Sequence, residues 1–187
     1  PGASGAIAIE RVTKSPPDGY TLLMQVSSST IPSALNPNLP YDLKRDLAAI
    51  SMVAVGPYLL VVHPSVPARS ARELIALARA RPERLSYGSS GAGSAAHLAT
   101  ELFNAMAKIK MLHVPYKGGG DFVVALQAGQ IDAIIISIGA VAAYLPAGKL
   151  RALGVSSGTR TSLMPEMPTI AETGLPGYER SGWYGVF

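Results

Sequence analysis

The residues best suited to chemistry lie in a few segments rich in glycine and serine. The first is Tyr87-Gly88-Ser89-Ser90-Gly91-Ala92-Gly93-Ser94, with His97 just beyond it. Within it, Gly91-Ala92-Gly93-Ser94-Ala95-Ala96 fits G-x-G-x-x-A between a strand and a helix. In a dinucleotide fold that pattern sets backbone N–H groups on a pyrophosphate. The acid required about 20 residues further on is missing, because Met111–Val114 contains none. Two readings stay open: a glycine-lined helix N-terminus that an anion can approach, or a tight turn. A second segment is Tyr116-Lys117-Gly118-Gly119-Gly120. It is no P-loop, since GK[ST] does not occur. Its three glycines still bring N–H groups toward a ligand, unless the loop is merely flexible and its lysine solvated. A third, Gly154-Val155-Ser156-Ser157-Gly158, has the form G-x-S-x-G. A nucleophile elbow needs a helix next and a later histidine. Met164-Pro165 follows instead, and no histidine lies beyond Ser156.

The other reactive side chains are sparse. His63, His97 and His113 show no i, i+4 pair of the kind that holds a metal on a helix. His63 precedes Pro64 and ends a strand, His113 lies inside one, and His97 falls in the first turn of a helix, nearest a ligand. Asp121 is placed to stabilise its own helix N-terminus. Asp132 starts a strand, at the end away from ligand. No convergent carboxylate pair serves glycosidase or metal chemistry. With no cysteine, disulfides, thiolate zinc, iron–sulfur centres and a cysteine nucleophile are excluded. The expectation is a site with no catalytic residue, no metal and no cofactor.

These loops need elements to position them. Ala6–Lys14 reads as a short helix, and Ser15-Pro16-Pro17-Asp18-Gly19 as a turn. Tyr20–Val26 reads as a buried strand, followed by Ser27–Thr30, which can cap a helix from Ile31. Ile50–Val55 and Tyr58–Val62 read as a strand pair interrupted by Gly56-Pro57. A regular alternation follows: helix from Ser70 to Arg81, strand Leu85–Tyr87, helix Ser94–Lys108, strand Met111–Val114, helix Asp121–Ala128, strand Ile131–Ser137, helix Gly139–Leu145 and strand Leu150–Val155. A short helix near Thr169–Thr173 and a strand Gly182–Phe187 complete the chain. Strands alternating with helices predict an α/β fold with a parallel sheet. Ligands of such sheets bind beyond the carboxyl ends of the strands. Those ends here are Ser27–Thr30, Gly88–Gly93, Tyr116–Gly120 and Ser137–Gly139.

Composition narrows the function. Hydrophobic residues form 48% of the 187 and charged residues 15%, which opposes disorder. The net charge of +4 comes from scattered residues, so the basic stripe of a nucleic-acid binder is missing. A small positive surplus suits a small anionic ligand. No apolar run approaches the roughly 18–20 residues of a membrane span. The chain starts at Pro1 and ends on Val186-Phe187 in mid-strand, and reads as a piece of a longer precursor.

Four motifs, in order along essentially the whole chain, carry a family resemblance. They are Pro16-Pro17-Asp18-Gly19-Tyr20-Thr21-Leu22; Tyr87–Ser94 with His97-Leu98; His113-Val114-Pro115-Tyr116-Lys117-Gly118-Gly119; and Pro165…Pro168-Thr169-Ile170-Ala171-Glu172-Thr173-Gly174-Leu175-Pro176-Gly177-Tyr178. Together they resemble the Bug family of periplasmic solute receptors of tripartite tricarboxylate transporters. The resemblance implies a two-lobed periplasmic-binding-protein-like α/β fold that closes over a small carboxylate, with a hinge near Gly56-Pro57 and Tyr178–Gly182. It implies residues 1–57 and 179–187 as a partial lobe one and 58–178 as a complete lobe two. A full receptor would carry a signal peptide and a βαβ unit before Pro1, and a further helix and strand after Phe187. The implied ligand-binding residues are Ser27 and Ser28 in lobe one and Ser89, Ser90, Gly93, Ser94, His97, Tyr116, Lys117, Gly118 and Ser137 in lobe two. Gly119, Gly120 and Gly139 extend the same loops, and Gly2–Gly5 marks a helix start near the cleft. Membrane transporter subunits are the implied partners, without nucleic acid, and exposed lobe-one edges would favour self-association. The other functions weighed are a serine hydrolase using Ser156 or Ser90 and a ligand-sensing module of the same fold.

Overall fold

The computed structural model describes residues 5–31, 36 and 38–187. The expected Gly2–Gly5 helix start therefore lies outside them except for Gly5, as does most of the helix expected from Ile31. The chain divides into two compact units, Pro1–Val55 with Gly182–Phe187, and Gly56–Ser181. The chain passes between them twice, at Val55–Gly56 and at Ser181–Gly182.

The first unit holds helix α1 (Ala6–Thr13) and strand β1 (Met24–Val26). β1 pairs antiparallel with the last strand, β7 (Ser181–Val186), in the register Met24↔Val186 to Val26↔Tyr184. Ile9, Leu23 and Tyr41 are its buried apolar centre, with Phe187 packed against them. The buried strand expected over Tyr20–Val26 is shorter and more exposed. Tyr20 is 92% exposed and Met24 59%, and the ladder begins at Met24 because Pro16, Pro17 and Gly19 hold the chain in turns up to Tyr20.

Strand β2 (Ser51–Val62) leads from this unit into the second. The expected pair of strands is one continuous strand. Gly56 and Pro57 do not break it, because its ladder with β5 starts only at Tyr58. Proline's missing N–H costs nothing where no ladder bond is due.

The second unit is a sheet covered on both faces. β3 (Ser86–Ser89) lies between β4 (Leu112–Pro115) and β5 (Ala133–Ser137), parallel to both. β2 runs antiparallel to β5 and to β6 (Arg151–Val155). The sheet is thus mixed, correcting the all-parallel expectation. The exception is the strand that enters from the other unit and not from a crossover helix. Period-two alternation along β2 assigns the two cores. Leu60 and Val62 join Tyr87, Ile135 and Leu153 against helices α2 (Ala71–Ala80) and α3 (Ala95–Ala107). Leu59 and Val61 join Ile134, Ile136 and Val155 against α4 (Gly119–Gln127) and α5 (Ile138–Val141). A last short helix, α6 (Ile170–Thr173), places Ile170 in the first of these cores.

The caps follow the sequence. Ser70 Oγ accepts the Glu73 N–H at 3.2 Å and Ser94 Oγ the His97 N–H at 3.3 Å. Thr169 and Glu172 form a reciprocal capping box at 3.0 and 2.7 Å. α4 starts two residues before the expected Asp121, so Gly119 and Gly120 are its first turn and not loop. Among the described residues no helix is long and apolar enough to cross a membrane.

Candidate functional site

The carboxyl ends of β5, β3 and β4 are neighbours on one edge of the second unit's sheet. Each runs straight into a glycine- or serine-rich segment: Ser137 to α5, Ser89–Ser94 to α3, and Tyr116–Gly118 to α4. The N–H of Tyr116 donates to the carbonyl of Ser89 at 2.8 Å, fastening the β4 loop to the β3 loop. Gly88 allows this edge to close. A Cβ there would overlap Ile131 Cδ1 and stand 2.9 Å from Phe122 Cβ, so only glycine lets α4 lie this close over β3.

The β3 loop is held from within. Ser89 is fully buried, and its Oγ accepts the Gly91 N–H at 3.1 Å, donates to the Gly91 carbonyl at 3.1 Å and lies 2.7 Å from His113 Nε2. Gly91 and Gly93 take φ of +103° and +78°, a left-handed region that glycine enters freely. The Ser94 N–H returns to the Gly91 carbonyl at 3.2 Å, and the Gly93 N–H donates to His97 Nδ1 at 3.3 Å. These bonds leave the N–H groups of Ser90, Ala92, Ala95 and Ala96 without an acceptor among the described residues. The last two are the first-turn donors that every α-helix leaves open. The loop Gly88–Ser94 itself contains no carboxylate. Chemically it is a set of backbone donors at the positive end of a helix dipole, suited to a carboxylate or another small anion.

The expected residues therefore divide by role. Ser90 has an exposed side chain and Gly93 is half-buried, whereas Ser94 is buried and spends its Oγ on the His97 N–H as the cap of α3. Ser89 turns its hydroxyl into the loop's interior, and His97 turns Nδ1 onto Gly93. On the β4 loop, Lys117 is exposed, Tyr116 half-buried, and Gly118 is the N-cap of α4. Ser137 ends β5 and is the N-cap of α5, with no side-chain cap bond. In the first unit, Ser27 and Ser28 form a buried 3-10 turn directly after β1. Ser27 Oγ has no partner among the described residues. Asp132 is spent on structure, its carboxylate accepting the Ser86 N–H at 2.7 Å and Ser86 Oγ at 2.9 Å.

One group escaped the sequence reading. Tyr87 and His113 are register partners on β3 and β4 and stack at 4.9 Å. His97 lies 4.5 Å from His113. Tyr87 donates its hydroxyl at 2.6 Å to Glu101, which also takes an Asn104 amide hydrogen at 3.0 Å. Burial, then Glu101, pushes the Tyr87 phenol far above its ordinary value, so it stays a neutral donor. Burial, then the neighbouring His97, holds His113 below the ordinary imidazole value, against a smaller opposing pull from Glu101. The sequence signal was the i, i+4 spacing of His97 and Glu101, which puts both on one face of α3.

The hydrolase alternative fails on its geometry. Ser156 is fully buried; its hydroxyl accepts the Tyr58 N–H at 2.8 Å and donates to the Arg180 carbonyl. It ties together the segments next to both chain crossings. Ser90 has no hydrogen bond to a histidine, and His97 Nδ1 is already engaged. Among the described residues, no cluster of three or more acidic or histidine side chains could hold a metal.

Strand-end loops of this kind offer backbone donors to a small anion at the start of a helix. The chain belongs to the tripartite tricarboxylate transporter receptor family, whose model, described as "Tripartite tricarboxylate transporter family receptor", matches residues 1–187. Protein BugT of Bordetella pertussis (strain Tohama I) is 39% identical over 187 residues, covering 99% of this chain and 57% of that protein. The solved structure of R. palustris Rpa4515 with adipate superposes with a TM-score of 0.90 at 37% identity, over 99% of this chain and 62% of that one. MatC (Rpa3494) from Rhodopseudomonas palustris with bound malate gives 0.89 at 29% identity, over 100% and 64%. The fold is therefore the α/β fold of periplasmic receptors, in agreement with the sequence reading. The chain spans a little over half the length of the curated relatives it matches.

Proposed function

We propose that this chain belongs to a periplasmic solute-binding protein that captures a small organic carboxylate and delivers it to the membrane subunits of a tripartite tricarboxylate-type transporter. One observation carries the reading. The β3 loop presents the N–H groups of Ser90, Ala92 and Ala95, which have no acceptor among the described residues, at the start of a 13-residue helix, in a loop free of carboxylates. Such donors bind an anion through charge-assisted hydrogen bonds, and they offer no nucleophile or general base. Adipate and malate, carried by the related receptors Rpa4515 and MatC, are both dicarboxylates. They set the expected ligand class. Ser90, Gly93 and Ser94 shape the primary carboxylate contact. Tyr116, Lys117 and Gly118 form the adjoining wall, where the exposed Lys117 ammonium adds positive charge. Ser137, Ser27 and Ser28 are further hydroxyl donors at strand ends.

Calorimetric titration of the full-length protein with malate and adipate tests this. Ser90→Ala combined with Ser94→Ala is expected to weaken binding of the better acid by about tenfold, the scale of one to two lost hydrogen bonds to a charged group. Unchanged affinity in the double variant removes the β3 loop from the site.

A further inference from the structure

Two imidazoles stand directly behind the β3 loop, and each holds one end of it. His113 Nε2 is 2.7 Å from Ser89 Oγ. The Ser89 hydroxyl has one hydrogen and three partners. It satisfies all three by donating to the Gly91 carbonyl and accepting from the Gly91 N–H and from His113 Nε2–H. His97 works by the opposite polarity. Its Nδ1 receives the Gly93 N–H, which requires a bare Nδ1 and places the neutral ring's proton on Nε2.

We propose that His97 is a positioning residue for the carboxylate loop, and that protonation of its imidazole releases Gly93 and lowers solute affinity. A second proton on His97 lands on Nδ1, where the Gly93 N–H now points. Two donors then face each other, and the turn loses the bond that fixes Gly93 at φ +78°. His113 suffers no such conflict, because its imidazolium would still donate to Ser89. The two rings are 4.5 Å apart, so one imidazolium opposes the other. Burial holds the His113 imidazole below its ordinary value.

The charged groups around the pair come from every neighbouring segment. Glu101 lies one turn along α3 from His97 and is engaged by Tyr87 of β3 and by Asn104. Glu83 and Lys110, flanking β3 and β4, pair with each other. All line one open cleft of about 490 Å3 with His97 and His113, and the cleft gives protons a path to the rings. Asn can replace His97 as a non-titrating acceptor, since its amide oxygen takes the place of Nδ1.

This inference rests on the proposed carboxylate site, so its test has one readout with ligand and one without. In full-length protein, the backbone amide signal of Gly93 is followed by NMR from pH 8 to pH 5 beside the His97 ring signals. The expected result is that Gly93 moves with the His97 titration and that His97→Asn abolishes the movement. Malate and adipate are then titrated calorimetrically at both pH values. Wild-type affinity is expected to fall between pH 8 and pH 5 by about fivefold to tenfold more than that of His97→Asn, the effect of losing one ordering hydrogen bond. The comparison is between the two changes with pH, so a constant difference in affinity at pH 8 does not enter it. Ligand protonation is common to both and cancels in the comparison. A Gly93 amide indifferent to His97 overturns the inference, and so does an equal pH dependence in the two proteins. If Gly93 follows His97 but neither acid binds at any pH, the carboxylate reading fails while the histidine's hold on the turn stands. If His97→Asn does not fold, the wild-type Gly93 titration alone decides.

Discussion

Gly88→Ala is the substitution whose cost can be worked out most fully. An added Cβ would overlap Ile131 Cδ1 and lie 2.9 Å from Phe122 Cβ. Ile131 can turn the end of its side chain away. Phe122 Cβ cannot, because it is bonded to the backbone of α4. Carbon atoms pack best at about 3.5–4.0 Å, so α4 must retreat from β3 by roughly half an ångström or more, or the strand must bow. Overpacking of this kind costs about 1–3 kcal/mol, and attachment of the obstacle to a helix puts Gly88 in the upper part of that range. For a chain of this size each kcal/mol lowers Tm by about 2–4 °C. The expected drop is about 5–10 °C, read by calorimetric or circular-dichroism melting. The displacement also moves Gly118–Gly120 relative to Ser89, so ligand affinity should fall with stability. Gly118→Ala is the control. A Cβ there meets nothing nearer than Asp121 Oδ2 at 4.0 Å, and its stability should change by less than about 1 kcal/mol. A Gly88→Ala protein that melts within a degree of wild type would refute the packing argument.

Further outcomes are expected at three other residues. Ser156→Ala leaves the buried N–H of Tyr58 unpaired and should cost about 1–3 kcal/mol in urea unfolding. The wild-type serine should stay unlabelled by a fluorophosphonate, and stoichiometric labelling would reverse the receptor reading. Ser70→Ala should lose about 1 kcal/mol through the cap of α2, measurable in the same urea series. The carboxyl of Glu172 is held below its ordinary value of 4.5 first by the Thr169 N–H, with smaller help from Arg160. A depressed carboxyl stabilises the fold above its unfolded value and loses that contribution as pH falls through its folded value. Glu172→Gln should therefore lower stability at neutral pH and flatten the acid limb below about pH 4.5 in a pH series of thermal melts.

The sequence carried the second unit well, because its signals there are local and agree with one another. Ser70, Ser94 and Thr169 each precede an apolar helical period, and each caps the helix expected. Gly88–Gly93 and Tyr116–Gly118 fall at strand ends because glycine and serine are what a close, turning backbone tolerates. It was less legible where tertiary context decides. Gly56-Pro57 looks like a break, yet β2 runs through it, since no partner strand asks Pro57 for a hydrogen. The direction of β2 could not be read either, because antiparallel entry depends on which unit the chain arrives from. In the loops, residue type located the candidate site but not the orientation of its side chains. Ser89 and Ser90 are adjacent and chemically identical, yet one hydroxyl is buried on His113 and the other is exposed. That difference arises from the pairing of β3 with β4, which brings His113 to Ser89 from 24 residues further along the chain. The same pairing assembles Tyr87, His97, Glu101 and His113, whose spacing along the chain gave little sign of a cluster.

The most direct test of the central claim is a thermal-shift screen of the full-length protein against small solutes, with malate and adipate among dicarboxylates, tricarboxylates, aromatic acids, amines and neutral sugars. A ligand at 100 times its Kd stabilises by about 2.7 kcal/mol, or roughly 5–10 °C here. A shift of that size is expected for at least one carboxylate, rising with its concentration, and none for amines or sugars. A shift confined to an amine or a neutral sugar would contradict the claim.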